Sequence, residues 1–349
     1  MDFATTIIAW YKKNARDLPW RNTRDPYKIW LSEIILQQTR VDQGMEYYHR
    51  FVNRFRTVCE LASASENEIL KMWQGLGYYS RARNLHGTAK QICDLHHGNF
   101  PKSYDALLRL KGIGPYSAAA ISSFAFDEAK AVVDGNVYRV LSRFFGMHDD
   151  ISSTQGQTKF RALAQEILPP KKAAIYNQAI MEFGAMQCVP KNPDCLKCPV
   201  SEACMAYAKK QVQQLPVKIK KNKTKSRHIV YFVFRKGNYY FIRQRDDSSI
   251  WKNMFDFPGI ESEFVFTEKE ILRKLKTEFQ ISEVLIKHRH EAPVHLLSHL
   301  RITALFLEIE FPKNHVIPDS WVRVGWKKQP ETAIPRLIHK YLESRFSED

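Results

Sequence analysis

The sequence predicts a multi-domain protein in which an all-α region precedes a smaller α+β domain. A chain of 349 residues is too long for one comfortable hydrophobic core, so two or three domains are expected. About 210 N-terminal residues carry apolar side chains at helical spacing, whereas the last 120 or so mix strand-like and helical patterns. A strongly basic segment separates the two kinds of pattern.

The helical region is assigned to residues 1–213. Segments such as DPYKIWLSEIILQQTRVDQGMEYYHRFVNRF show helical periodicity and little alternation of apolar and polar residues. Glycine and proline interrupt the pattern at QGLGYY, HHGNFP and KGIGPY, where turns are expected.

Residues 214–228, QLPVKIKKNKTKSRH, are predicted to form a basic linker. Six basic residues lie between Lys218 and Arg227, and large apolar groups are scarce. This charge is either a solvated run or a contact surface for DNA phosphates.

Residues 229–349 are predicted to form the α+β domain. A β-hairpin around a Gly-Asn turn is predicted for HIVYFVFRKGNYYFIRQR, and a helix is predicted for TEKEILRKLKTEF. A strand-like run at 299–311 and a final helix in AIPRLIHKYLESRF complete the domain.

The positive net charge of the chain indicates a polyanionic partner, and nucleic acid is the first candidate. The formal net charge is +16 and the isoelectric point is about 9.5, although a basic protein without such a partner is the alternative. The N-terminus lacks the basic segment of a signal peptide, and no apolar run reaches the roughly 18 residues of a membrane span. We therefore expect a cytoplasmic protein, in which clustered cysteines bind metal rather than form disulfides.

Four of the six cysteines lie within CVPKNPDCLKCPVSEAC, residues 188–204, and the other two are Cys59 and Cys93. The cluster spacing is Cys-x6-Cys-x2-Cys-x5-Cys. Four thiolates so close together suit zinc or an iron–sulfur cluster, and the single Cys-x2-Cys pair favours iron–sulfur without deciding it. We expect this loop to fold only with its metal bound, because binding and local folding are linked.

Two further motifs precede the cysteines. Gly112 and Gly114 form a tight turn before Pro115, which suits the first position of a helix, and such a turn exposes backbone N–H groups to phosphate. Asp134 follows two valines and precedes a helical run, so it is either a functional carboxylate or only an N-cap.

The order of KGIGPYSAAA, VDGNVYRVLSR and the cysteine loop resembles the helix-hairpin-helix DNA glycosylase superfamily. Its iron–sulfur branch includes endonuclease III and the MutY adenine glycosylases. The resemblance implies that Asp134 is catalytic and that the cysteines ligate a [4Fe–4S] cluster. Such a cluster would hold Lys191 and Lys197 against DNA phosphates. The implied metal ligands are Cys188, Cys195, Cys198 and Cys204.

Three features resemble the MutY branch. Bifunctional relatives carry a lysine nucleophile where this chain has Tyr116, which cannot form an imine, so monofunctional hydrolysis is implied. WLSEIILQQTRV resembles the MutY segment with the catalytic glutamate, here Glu33. The C-terminal domain resembles the Nudix-like domain with which MutY proteins read 8-oxoguanine. The implied catalytic set is Glu33, Tyr116, Asp134 and Asn136.

The chemistry of adenine removal suits two carboxyl groups in different environments. Glu33 lies among Trp30, Leu31, Ile34, Ile35 and Leu36, and desolvation there is expected to raise its pKa and keep a proton available. Asp134 is expected to stay ionised at a helix N-terminus, where it can stabilise the positively charged sugar.

The resemblance implies further contacts with DNA. Trp20 and Arg21 are expected near the adenine pocket, and Arg81 and Arg83 are expected to form a stacking and phosphate patch, unless this turn only packs its aromatics into the core. The remaining predicted DNA- or lesion-binding residues are Gln38, Thr39, Leu76, Tyr78, Gly112, Gly114, Lys191, Leu297, Ser298 and His299.

The C-terminal domain departs from its relatives at two places. The helix EKEILRKLKTEFQI lacks the paired glutamates of the Nudix metal motif, so phosphohydrolase activity is not expected. Ser298 and His299 match the 8-oxoguanine-reading loop of the MutY family, but Leu297 stands where that family usually has phenylalanine. The alternative is an ordinary strand entry.

The resulting expectation is a [4Fe–4S] DNA glycosylase that hydrolyses adenine opposite 8-oxoguanine, or guanine, in duplex DNA. It is expected to act as a monomer without a membrane partner, in the cytoplasm and associated with the nucleoid through DNA. The alternatives are a mismatch glycosylase that removes another base such as thymine, and a catalytically silent DNA-binding iron–sulfur protein.

Overall fold

The computed structural model describes residues 2–219, 224–246, 250–282, 284–297, 300–312 and 315–348. The chain divides into two compact units. The first comprises Met1–Ala64 and Arg83–Lys220, and the second comprises Ser65–Ala82 and Lys221–Asp349.

The N-terminal region is helical, as its periodicity predicted. Its helices are α1 (Phe3–Asn14), α2 (Pro26–Leu36), α3 (Val41–Arg54), α4 (Val58–Ser63), α5 (Glu66–Met72), α6 (Ser80–His96), α7 (Tyr104–Leu108), α8 (Pro115–Phe126), α9 (Gly135–Phe145), α10 (Thr154–Glu166), α11 (Ala173–Met186) and α12 (Met205–Ala208). No helix among the described residues is long and apolar enough to cross a bilayer.

Local capping fixes where the helices of the site begin. Asp25 caps α2, with Pro26 at its first position, and Asp134 caps α9. Gly114 precedes α8, and Pro115 occupies the predicted first helical position. Gly112 has a φ of 87°, which a side chain would disfavour in this turn.

Two apolar clusters in the first unit set the helix arrangement. In one, α1 and α9 pack on α11 through residues such as Ile7, Leu141 and Phe183. In the other, α2 packs on α8 through residues such as Ile29 and Ala120. The packing brings Glu33 on α2 near Tyr116 on α8.

Cys59 on α4 and Cys93 on α6 form a disulfide in this structure. The expectation of cysteines kept reduced in the cytoplasm did not anticipate this bond. The other four cysteines are free.

In the described part of the second unit there are a mixed sheet and helix α5, together with two C-terminal helices. Its strands are β1 (Lys225–Lys236), β2 (Tyr239–Gln244), β3 (Phe255–Asp256), β4 (Gly259–Ser262), β5 (Ile286–Leu296), β6 (Leu300–Glu310) and β7 (Val322–Gly325), and its C-terminal helices are α13 (Glu268–Phe279) and α14 (Arg336–Glu348).

The sheet order is β3-β2-β1-β6-β5, with β4 paired to β1 and β7 to β2. The predicted hairpin is confirmed, since β1 and β2 pair antiparallel with Lys236 opposite Tyr239. The long central ladder between β1 and β6 is parallel. The predicted helix is α13, where Thr267 and Glu270 form a capping box.

The segment Ser65–Ala82 is hydrogen-bonded to C-terminal residues, although the sequence assigned it to the helical region. Asn67 Oδ1 accepts from the backbone N–H of Ala333 at 3.0 Å, and Lys71 Nζ donates to Pro330 O at 2.5 Å. In addition, β1 starts at Lys225, inside the predicted linker 214–228, because its pairing with β6 extends to that residue.

We predict that Gly184→Ala destabilises the first unit. An added methyl group would lie 2.7 Å from Cβ and 3.0 Å from the carbonyl oxygen of Asn136, so α9 and α11 must separate. Overpacking of this kind costs about 1–3 kcal/mol of unfolding free energy, measurable by urea denaturation.

Gly87→Ala is the control within the helical region. No atom lies within 4 Å of a methyl group added to Gly87 in α6, so the same substitution should be neutral or stabilise by about 0.5–1 kcal/mol. Equal effects at the two positions would contradict the described packing.

Candidate active site

A cavity of about 1310 Å³ in the first unit gathers most of the predicted site residues. It is open enough to admit a nucleobase and combines buried apolar walls with titratable groups. The predicted residues that line it are Trp20, Arg21, Glu33, Gln38, Thr39, Gly112, Gly114, Tyr116, Asp134 and Asn136.

Glu33 is a buried carboxyl group at this cavity, with 8% of its surface exposed. Burial raises its pKa to about 7; a hydrogen bond from Tyr116 and the charge of Arg21 oppose this rise, while Asp134 adds to it. The Tyr116 hydroxyl donates to Glu33 Oε2 at 2.6 Å. The direction agrees with the prediction from the apolar neighbours of Glu33. A carboxyl group with this pKa can hold a proton near neutral pH and give it up.

Asp134 is the second carboxyl group at the cavity, and it is also the N-cap of α9. Its Oδ1 accepts from Val137 N at 2.8 Å and its Oδ2 from Asn136 Nδ2 at 2.7 Å. Burial raises the pKa of Asp134 above its usual value, although these hydrogen bonds and the charge of Arg139 oppose the rise. The expectation from the helix N-terminus alone did not anticipate this direction. The two sequence interpretations, cap and functional carboxylate, are therefore compatible.

Asn136 is oriented by Arg139, a residue that the sequence analysis did not select. Arg139 Nη2 donates to Asn136 Oδ1 at 2.9 Å and to Gly184 O at 2.6 Å, and Arg139 Nε donates to Cys188 O at 2.7 Å. Its position three residues after Asn136 on a helix was the available signal. The backbone at the start of the cysteine loop is thus tied to the amide that holds Asp134.

A cluster of the buried Glu182 with the partly exposed Arg16 and Arg21 also lines the cavity. Glu182 Oε2 accepts from Arg16 Nη2 at 2.6 Å and from Arg21 Nη2 at 2.7 Å. Arg21 was predicted at the site from the sequence, whereas Arg16, five residues before it, and Glu182, 161 residues after it, were not.

The four clustered cysteines line one small cavity together with Arg143. Arg143 Nη1 donates to Cys188 Sγ at 3.4 Å, and its other nitrogens donate to backbone carbonyls, including that of Pro190. Burial, with the charge of the neighbouring thiols adding to it, raises the pKa of Cys198 to about 11. A metal or cluster bound among these thiols would offset the cost of ionising Cys198.

Within the described ranges, no group of three or more His, Cys, Asp or Glu side chains is arranged to hold a metal ion. Cysteine thiolates are the usual ligands of iron–sulfur clusters, and here four cysteines line one cavity. The donor set and its arrangement around a cavity therefore fit an iron–sulfur cluster.

Comparison with known proteins identifies the family. The family model of HhH-GPD superfamily base excision DNA repair proteins matches residues 31–170, and a NUDIX domain model matches residues 230–344. An adenine DNA glycosylase of Buchnera aphidicola subsp. Schizaphis graminum is 33% identical over 346 residues, 98% of this chain and 98% of that protein. The chain belongs to the adenine DNA glycosylase family.

Other proteins are similar to parts of the chain. The adenine DNA glycosylase of Mus musculus is 41% identical over 222 residues, which cover 61% of this chain and 43% of that protein. A thermostable thymine-DNA glycosylase is 32% identical with a TM-score of 0.55 and covers 59% of this chain and 95% of its own. Endonuclease III in a non-covalent DNA complex, at 20% identity and a TM-score of 0.52, shares the helical fold.

Several predicted DNA-contacting residues do not line the cavity. Leu76 and Tyr78 belong to the second unit, where Leu76 is buried and Tyr78 is 42% exposed with a φ of 48°. Arg81 Nη2 donates to Gly77 O at 3.3 Å, which ties that arginine to the turn itself. Lys191 is exposed in the cysteine loop.

The predicted reader loop lies between β5 and β6. The backbone N–H of Leu297 donates to Leu300 O at 2.8 Å, and Leu297 is half-buried. Ser298 and His299 lie outside the described residues.

We predict that Tyr116→Phe raises the pKa of Glu33 above about 7. In the wild type the hydrogen bond from the Tyr116 hydroxyl stabilises the ionised carboxylate, and phenylalanine removes that bond. Carbon-13 NMR titration of the Glu33 carboxyl group measures this shift directly. The hydroxyl of Tyr27, which donates to Phe55 O at 2.9 Å, provides the control, and Tyr27→Phe should leave the Glu33 titration unchanged. An unchanged or lowered pKa in Tyr116→Phe would contradict the assigned hydrogen bond.

Proposed function

We propose that this chain removes adenine from duplex DNA where adenine is paired with 8-oxoguanine, or with guanine, and that it does so by hydrolysis without cutting the strand. The observation that carries the proposal is that Glu33 and Asp134 line the same cavity. The relatedness to adenine DNA glycosylases over nearly the whole chain supports adenine as the base.

In the proposed reaction Glu33 acts as general acid. Its proton goes to a ring nitrogen of adenine, and the electron pair of the N-glycosidic bond leaves with the neutral base. The deoxyribose then carries positive charge, which the carboxylate of Asp134 stabilises. Water adds to the anomeric carbon and loses a proton, which leaves an abasic site.

The side chain of Tyr116 supports the monofunctional part of the proposal. Imine formation with the sugar requires an amine. Tyr116 has a phenol hydroxyl instead, which donates a hydrogen bond to Glu33. The hydroxyl instead fixes the orientation of the Glu33 carboxyl group. The product should therefore need alkali before the strand breaks.

The 8-oxoguanine preference rests on the C-terminal domain. The NUDIX match to residues 230–344 supports a domain of the kind with which MutY proteins read this lesion. We assign the reading to Leu297, Ser298 and His299 on their resemblance to the family's reader loop. Removal of thymine is the alternative, favoured by the 32% identity to a thymine-DNA glycosylase, but that similarity covers 59% of this chain.

We further propose that Cys188, Cys195, Cys198 and Cys204 hold a [4Fe–4S] cluster. The cluster would neutralise four thiolates and thereby fold the loop that carries Lys191 toward DNA phosphates. The monomeric state and the cytoplasmic, nucleoid-associated location remain part of this proposal. The domain division 1–213, 214–228 and 229–349 remains part of it only as the order of regions along the chain, because Ser65–Ala82 belongs to the second unit.

We predict that Glu33→Gln and Asp134→Asn keep binding of duplex DNA and lose nearly all base release. The amide that replaces the Glu33 carboxyl group donates no proton to adenine, and the amide that replaces the Asp134 carboxylate carries no charge to stabilise the sugar. Single-turnover rates should fall by more than about tenfold, which corresponds to about 1.4 kcal/mol of barrier. A variant that retains more than about a tenth of the wild-type rate would contradict the assigned role of that residue.

The same assay tests the proposed substrate with adenine opposite 8-oxoguanine, guanine or cytosine, and with thymine opposite guanine. Adenine opposite 8-oxoguanine should be released fastest, and strands should break only after alkali. Preferential release of thymine, or efficient borohydride trapping of a covalent complex, would refute the proposal.

We predict about four irons per chain after anaerobic purification, as the [4Fe–4S] assignment requires. Cys198→Ser should lower both the iron content and the yield of folded protein, because cluster binding stabilises the loop. Cys93→Ser, outside the cluster, should keep full iron content. Stoichiometric zinc without iron in the wild type would refute the cluster assignment.

A further inference from the structure

Glu182 on α11 is a buried carboxylate that the proposed reaction does not use. Its side chain is only 1% exposed. Oε1 accepts from Arg16 N at 3.1 Å and Arg16 Nε at 2.7 Å, while Oε2 accepts from Arg16 Nη2 at 2.6 Å and Arg21 Nη2 at 2.7 Å. All four donors come from the short segment before α2.

These contacts exclude Glu182 as a direct ligand of the base. A carboxylate has about four lone-pair directions, and four donors occupy them here. Burial by itself would raise the pKa of Glu182, but the hydrogen bonds from Arg16 and Arg21 outweigh it and lower the pKa to about 2. Glu182 therefore remains ionised and engaged with its arginines.

Arg21 differs from Glu182 because it keeps free donor capacity at the cavity. Its Nη2 donates to Glu182, and its Nη1 donates to Arg16 O at 3.2 Å. A guanidinium has five N–H donors in a rigid plane, so two fixed contacts determine where the others point. Arg21 and Glu33 line the same cavity, and the side chain of Arg21 is 14% exposed.

We propose that Glu182 is a positioning residue for base recognition. It holds the guanidinium of Arg21 in the orientation in which the remaining N–H donors meet ring-nitrogen acceptors of the purine. This inference rests on the proposed function, because it takes adenine as the base in the cavity. It assigns to Glu182 an effect on the substrate that is exerted only through Arg21.

A double-mutant cycle tests whether Glu182 acts through Arg21. Single-turnover release of adenine is measured for wild type, Glu182→Gln, Arg21→Ala and the double variant. Glu182→Gln should cost about 10- to 100-fold in the wild-type background, since a hydrogen bond to a charged group is affected. In the Arg21→Ala background the same change should cost less than about threefold, because coupled residues are not additive.

Deaza analogues of adenine supply a readout that a purely structural ion pair would not change. Wild type should release 1-deazaadenine or 3-deazaadenine at least about tenfold more slowly, relative to adenine, because one ring-nitrogen acceptor is missing. Glu182→Gln should lose that discrimination, and Glu182→Asp, which keeps the carboxylate, should retain more of it.

Asp127→Asn is the matched control. It removes the carboxylate of another arginine pair of the N-terminal segment, Arg24–Asp127, whose side chains are 72% and 53% exposed. Asparagine also tolerates the φ of 57° at this position. Asp127→Asn should leave the rate and the discrimination at wild-type values.

The outcomes are distinguishable. Equal losses from Glu182→Gln in both backgrounds, or unchanged discrimination against the deaza analogues, would overturn the positioning role. If Glu182→Gln does not fold, Glu182→Asp takes its place in the cycle. Equal losses of rate from Glu182→Asp in the wild-type and Arg21→Ala backgrounds would also overturn the proposal.

A measurement on the protein without substrate separates this inference from the proposed function. Nitrogen-15 NMR of the arginine side chains should show an ordered Arg21 guanidinium in wild type that becomes mobile in Glu182→Gln. Arg21 order that is independent of Glu182 would overturn the inference. A wild type that releases no adenine, yet shows this loss of order, would contradict the proposed function alone.

Discussion

Two carboxyl groups, Glu33 and Asp134, line one cavity, and they differ in the hydrogen bonds that oppose the effect of burial on their pKa values. Glu33 receives one hydrogen bond, from Tyr116, and burial raises its pKa to about 7. Asp134 receives hydrogen bonds from the start of α9 and from Asn136, which oppose the effect of burial on its pKa. The packing of α2 on α8 and of α9 on α11 places both groups at the same cavity, and the proposed chemistry depends on their different surroundings.

Glu33 and Asp134 were selected from local motifs that resemble those of a known family, and the structure places both at one cavity. Glu33 lies in an apolar helix, so its raised pKa could be anticipated from neighbouring residues. Asp134 begins another helix, so its capping role could be anticipated, but the rise of its pKa by burial could not. The supporting contacts could not be anticipated. Glu182 meets Arg16 and Arg21 across more than 160 residues of sequence, and Arg139 reaches the carbonyl of Cys188 only because α9 packs on α11. Such pairs depend on tertiary packing, which no local pattern encodes.

In the second unit, too, short-range features could be predicted from the sequence and long-range contacts could not. The hairpin of β1 and β2 and the capping box of α13 were predictable from short-range signals. Strand β5 was missed, because its sequence IKHRHEAPVHL is polar and contains Pro293; it lies at the edge of the described sheet, where such residues are tolerated. The parallel pairing of β1 with β6 and the hydrogen bonds of Ser65–Ala82 to C-terminal residues are likewise non-local.

The pH dependence of single-turnover adenine release at saturating enzyme tests the central claim most directly. Since protonated Glu33 supplies the proton, the rate should fall as pH rises through about 7, approaching about tenfold per pH unit beyond it. The midpoint should move upward in Tyr116→Phe, where the hydrogen bond that favours the ionised form is lost. A rate that stays constant from about pH 6 to pH 9 would contradict the assignment of Glu33 as the acid.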